Sequence, residues 1–172
     1  MTSLLVDIAA AQVGVREEGG NNCGAKVREF QKATDLKPGA WPWCAAFVDW
    51  CLREWLAKPT AISWLNLQAS TPEEWRPKTA LAYGFLAWAK SRPKTTLILP
   101  EDVRAQTGDI VVFDFSHVGI VEYDTGAGQL LTIEGNTNGR GDRDSATGDG
   151  VWRKTRPKSL ARNFIRLRPS LG

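Results

Sequence analysis

Cys44, His117 and Glu134 are the residues of this chain whose types and order can assemble a covalent-catalysis site. A thiol attacks a carbonyl as its thiolate. An imidazole takes the thiol proton and later gives it to the leaving group, and a carboxylate or amide on the far ring nitrogen fixes the tautomer and supports the imidazolium. His117 is the single histidine, so an imidazole partner for Cys44 is that residue or none. The third position has two candidates, Glu134 and Asn136, which alternate onto one face of a strand. A carboxylate supports an imidazolium better than an amide does, which ranks Glu134 first and leaves Asn136 as an alternative or as a nearby polar contact to substrate. Taken singly, the same residues read blandly: a buried thiol, a strand-start histidine, a strand-end charge and a turn asparagine. Their combination in this order favours chemistry.

The element that must position the thiol is the stretch 41–55, WPWCAAFVDWCLREW. Cys44, Phe47, Val48, Cys51, Leu52 and Trp55 follow the spacing of one helix face. Pro42 stands just ahead, where its fixed φ suits a first turn. Cys44 is therefore expected at the N-terminus of a buried central helix, where unpaired N–H groups and the helix dipole favour a thiolate and can hold an oxyanion. Trp43, next to it, is the tryptophan assigned to a substrate contact. His117 is expected to open a strand after the turn at 114–116, with Gly119 on the same face leaving space beside the ring.

At 172 residues and 19.0 kDa the chain is expected to form one domain, 1–172, with an ample core. The net charge of +3 is mild and suits an anionic polymer such as a cell-wall strand, with no nucleic-acid partner expected. Three cysteines cannot complete a disulfide framework, and Cys44 and Cys51, seven residues apart on one helix, are separated by about 10.5 Å of axial rise, too far to bridge. One histidine and no Cys-x-x-Cys argue against zinc. The opening MTSLLVDIAAAQVG lacks a basic n-region and carries Asp7, so neither a signal peptide nor a membrane span is expected. The expectation is a protein made in the cytoplasm, without stable membrane association, that reaches any outer target by release or delivery.

Elsewhere the pattern predicts helices at 2–13 and 25–33, a proline stop at Pro59, a capping box at 71–74 (TPEE) and a helix over Leu81, Phe85 and Trp88. Beyond residue 100 the pattern becomes strands: 109–113, 117–123, 129–134, 151–155 and 164–167, with a hairpin loop at 124–128 and a long polar loop at 137–149 that is a candidate lip over a site. Helices first and strands after predict an α+β domain in which N-terminal helices pack on a C-terminal antiparallel sheet of about five strands.

WPWCAAFVDWC, then TGDIVVFDFSHVGIV, then TIEGNTN resembles the CHAP family of peptidoglycan hydrolases, relatives of the NlpC/P60 enzymes. The resemblance runs over about 17–167, and the ordered combination of motifs carries it. It implies a papain-like fold and a Cys–His–polar site cleaving an amide bond in cell-wall peptide, as an N-acetylmuramoyl-L-alanine amidase or an endopeptidase. In it Cys44 matches the nucleophile, His117 the base, Glu134 the orienting residue and Asn136 a nearby polar residue. Some members bind calcium through an aspartate-rich loop, but Asp142-x-Asp144 lacks the further ligands of an EF-hand pattern, so no metal and no cofactor are expected. By analogy the protein is a monomeric phage-type lysin or a delivered antibacterial effector, acting on a stem or cross-link peptide, with a holin, a secretion system or an immunity protein as candidate partners. The rival readings are another cysteine acyl-transfer enzyme acting on protein amides, and a non-catalytic wall-binding protein that uses the eight tryptophans.

Overall fold

The computed structural model describes residues 1–68, 71–140 and 148–170. Six helices come first: α1 (Thr2–Ala10), α2 (Ala25–Gln31), α3 (Cys44–Leu56), α4 (Pro59–Leu65), α5 (Pro72–Trp75) and α6 (Gly84–Lys90). Six strands follow: β1 (Thr96–Pro100), β2 (Ile110–Phe113), β3 (Val118–Asp124), β4 (Gln129–Thr137), β5 (Gly150–Pro157) and β6 (Ala161–Leu167). They form one antiparallel open sheet in the order β1-β6-β2-β3-β4-β5. The fold is α+β, helices before sheet, as the change of residue pattern predicted.

α3 is the central helix, and it lies across β3 and β4 with α1 and α2 beside it. Its apolar stripe is completed by an aromatic cluster: the Phe30 ring sits 5.6 Å from Trp43, 5.2 Å from Phe47 and 5.1 Å from Trp50. Side chains alternate through β2 as a pleated strand requires. Ile110 and Val112 join the core under the helices, whereas Val111 and Phe113 join Val121, Leu130 and Phe164 in a smaller cluster on the other face. An ion pair ties α3 to the segment after α5: Arg76 donates to Asp49 of α3 at 2.7 Å and to the Ala33 carbonyl at 2.9 Å, with both side chains almost wholly buried.

Several local expectations are corrected. Pro59 stops one helix but also opens another, because its fixed φ suits the first turn of α4. The capping box does not form: Thr71 makes no side-chain cap, and its hydroxyl donates to the Gln68 carbonyl at 2.9 Å. α5 ends after one turn because Arg76, preceding Pro77, is held extended at ψ 154°. α6 begins three residues beyond Leu81, which is 71% exposed. The sheet has six strands rather than about five. The strand unforeseen is β1, an edge strand whose exposure does not alternate and which ends on a proline. The long polar loop at 137–149 is described only at its two ends, and the Asp142-x-Asp144 motif falls in 141–147, outside the described residues. Among the described residues no helix is long and apolar enough to cross a membrane.

Candidate active site

The start of α3 is held from three sides. Trp43 is its N-cap, with a non-helical φ of −119°, and its indole N–H donates to the Glu17 carboxylate at 2.8 Å. The Phe30 ring stacks on the same indole. On the third side β4 closes down through Gly135, where a Cβ would lie 2.6 Å from the Phe47 Cβ and 2.9 Å from the Trp43 ring. Only a residue without a side chain lets this strand approach so closely. The close approach seats β4 on the helix start that carries Cys44, and Glu134 and Asn136 flank Gly135 in that strand.

His117 follows the turn Asp114–Phe115–Ser116 between β2 and β3. Ser116 has φ +59°, in the left-handed region, and the turn is clamped by Tyr83. The Tyr83 hydroxyl donates to the Asp114 carbonyl at 2.8 Å and accepts from the Ser116 N–H at 3.0 Å. The imidazole stacks on Phe115 at 5.6 Å and 12° between planes, with Phe113 at 5.8 Å. Its Nε2 lies 2.8 Å from Glu134 Oε2, and both side chains are fully buried.

Glu134 reaches the ring because β3 carries a glycine beside it: a Cβ on Gly119 would stand 2.7 Å from the Glu134 Cγ. The space that sequence reasoning assigned to the imidazole is occupied by the carboxylate that holds it. That carboxylate is satisfied on both oxygens. Oε1 accepts from the Thr132 hydroxyl at 2.6 Å and from Arg156 Nε at 3.0 Å, and Oε2 accepts from Arg156 Nη2 at 2.6 Å. The Arg156 guanidinium in turn faces the Phe113 and Phe115 rings at 5.5 and 5.4 Å.

Burial on its own lowers the pKa of His117. The neighbouring Cys44 sulfur and then Glu134 outweigh it and raise the imidazole from 6.5 to about 9. Glu134 is pushed up by burial but pulled down further by His117 and then Arg156, to about 2. The ring thus favours its protonated form beside an ionised Glu134. Nδ1 of His117 is buried without a hydrogen-bond partner among the described residues, while the charge of Cys44 is strongly felt at the ring. Cys44 itself is 5% exposed, whereas His117 is wholly buried.

Cys44, His117 and Glu134 are therefore gathered as the sequence order suggested, and the imidazole is held by Glu134 rather than Asn136. Asn136 sits one residue beyond Gly135 at the bulge of β4, 2% exposed with φ +52°. It lies under Gly148, whose Cβ would be 2.8 Å from Asn136 Oδ1. Trp43 is wholly buried and has no surface left for a substrate; its role is to seat the helix start. Reading by residue type missed Thr132, Tyr83 and Arg156. Thr132 carried a faint signal, because it shares the alternation of Glu134. Arg156, in the strand RKTRP, reads as a surface charge.

An α+β domain that presents a thiol at a helix start to a buried imidazole–carboxylate pair on an antiparallel sheet is the class these elements define. The family model for the CHAP domain matches residues 36–136, more than half of the chain, and the chain belongs to that family. CHAP domains are in general hydrolases acting on peptidoglycan. No curated protein and no solved structure matches the chain. The matched stretch contains Cys44, His117, Glu134 and Asn136 and ends before Arg156.

Proposed function

We propose that this protein, acting as a single catalytic domain, hydrolyses an amide bond in the peptide of peptidoglycan with Cys44 as nucleophile. The observation that carries the reading is the buried 2.8 Å contact between His117 Nε2 and Glu134, which leaves Nδ1 for Cys44. His117 takes the thiol proton through Nδ1, and the sulfur attacks the carbonyl carbon. The first N–H groups of α3, which have no intrahelical acceptor, stabilise the oxyanion. As the tetrahedral adduct collapses, the imidazolium protonates the departing amine. Water, activated by the neutral imidazole, then releases the acyl group and restores the thiol. Glu134 holds the ring and supports its charge without taking part in bond making. Asn136, adjacent to this machinery, is the candidate polar contact to the substrate peptide. The net charge of +3 suits an anionic wall polymer.

Mass spectrometry of purified peptidoglycan digested by the protein tests the reading and names the bond. A free lactyl carboxylate with a new alanine amino terminus identifies an amidase; a new terminus within the stem or cross-link identifies an endopeptidase. Muropeptides unchanged by folded protein, across walls of different cross-link chemistry, would overturn it.

A further inference from the structure

An imidazolium and a carboxylate buried together have a competitor state. The proton can pass along the hydrogen bond, leaving neutral imidazole and neutral carboxylic acid, and no charge then has to be held in a dry site. In this protein that state would disable the chemistry. If the Nε2 proton passed to Glu134, the ring would keep its other proton on Nδ1 as a neutral imidazole. Such a ring is too weak an acid to protonate a departing amine, and it is no counter-ion for a thiolate.

Glu134 is guarded against this by a second cation. Arg156 grips both carboxylate oxygens from β5, at 3.0 Å through Nε and 2.6 Å through Nη2, and is 2% exposed. A guanidinium does not give up its proton in a protein. Protonating Glu134 would therefore cost that guanidinium its two charge-assisted bonds to the carboxylate, so the carboxylic acid state loses its advantage. Among the described residues, the charged and titratable groups facing Glu134 are His117 from the β2–β3 turn and Arg156 from β5, with Cys44 of α3 beyond the ring.

We propose that Arg156 is a positioning residue that keeps Glu134 a carboxylate throughout turnover, so that the proton His117 takes from Cys44 goes to the leaving amine while the Nε2 proton stays on the ring. The inference rests on Cys44 and His117 being nucleophile and base. It concerns a residue beyond the stretch that matches the family.

The test is the pH dependence of Cys44 alkylation by iodoacetamide, followed by peptide mapping so that Cys23 and Cys51 report separately. It needs no peptidoglycan. Parent, Arg156→Met, Arg156→Gln and Arg156→Lys are compared alone and in the Glu134→Gln background, with circular dichroism to establish folding. Arg156→Met is expected to move the acid limb of the alkylation profile upward by about one pH unit or more, a tenfold loss of rate at the parent's mid-limb. Arg156→Gln, which keeps a hydrogen-bond donor and serves if the methionine variant does not fold, should do the same, and Arg156→Lys should restore most of the parent profile. With Glu134→Gln in place, removing Arg156 should leave the limb where it is, because no acid remains to take the proton. A limb that stays put in folded Arg156→Met or Arg156→Gln, or one that shifts equally in the Glu134→Gln background, overturns the proposal. A parent Cys44 inert below about pH 8.5 overturns instead the site reading beneath it.

Discussion

Replacing Gly119 by alanine tests the geometry of the site without altering any reacting group. The residue lies in β3, in an ordinary extended conformation, so alanine imposes no backbone strain. Its methyl would stand 2.7 Å from the Glu134 Cγ and 3.3 Å from the Ile133 carbonyl oxygen. Ordinary contact begins at 3.4 Å, so one partner has to move by about 1 Å to reach a relaxed separation. Glu134 cannot retreat freely, since its oxygens are tied to His117, Thr132 and Arg156 at 2.6 to 3.0 Å. The displacement is passed to the imidazole or taken up by the strands. A misplacement of about 1 Å costs on the order of 100-fold in rate, equivalent to about 2.7 kcal/mol of barrier. Overpacking costs about 1–3 kcal/mol of stability. The assay is kcat/KM on soluble peptidoglycan fragments alongside a thermal melt, and the expected result is a folded protein of lowered melting temperature with about 100-fold lower kcat/KM. A variant within about threefold of the parent would show that the seat of Glu134 beside Gly119 does not govern the placement of His117.

Cys44→Ala should abolish turnover in a folded protein. Cys51→Ala should retain it while losing about 1 kcal/mol to a small cavity, as read by activity and urea titration; Cys51 is wholly enclosed and burial holds its thiol well above the ordinary range. Glu134→Gln should lower kcat/KM about 10- to 100-fold and bring His117 down from about 9, whereas Asn136→Ala, which leaves the imidazole's support intact, should cost less; rate–pH profiles of both variants check this. Glu134→Gln also removes the charge that Arg156 grips from β5, so it should destabilise the fold by about 3–5 kcal/mol in urea. Burial, only partly offset by Arg76, raises the Asp49 carboxyl from 3.8 to about 7. Its contribution to stability is therefore complete below about pH 4 and lost as pH rises through 7. Asp49→Asn should flatten that fall, measured as urea midpoints from pH 4 to 8.

The central helix was legible because its signals agree: Pro42 ahead of the start, an apolar stripe at helical spacing, and Cys44 at its first residue. His117 stood out as the single histidine, and its strand could be read from β-branched residues alternating after a turn. The supports of the site were not legible, because each depends on a contact between distant segments. Gly119 and Gly135 have no periodicity to betray them, and what they provide is seen only when β4 meets β3 and α3. Arg156 looks like surface charge until the register of β4 and β5 turns it onto Glu134. Trp43 shows the opposite error: an aromatic beside a nucleophile suggests a substrate platform, yet its indole N–H finds Glu17 and its ring finds Phe30, so the core takes it. Pro59 misled because proline both ends helices and begins them.

In the proposed reaction one thiol, Cys44, cuts a wall peptide with His117 as its base. The measurement that bears on it most directly is amine release from purified peptidoglycan by the parent and by folded Cys44→Ala, side by side at one pH, with released fragments identified by mass. Fragments with new amine termini are expected from the parent and none above background from the variant. Equal release by Cys44→Ala, or release that depends on Cys23 or Cys51 instead, would contradict it.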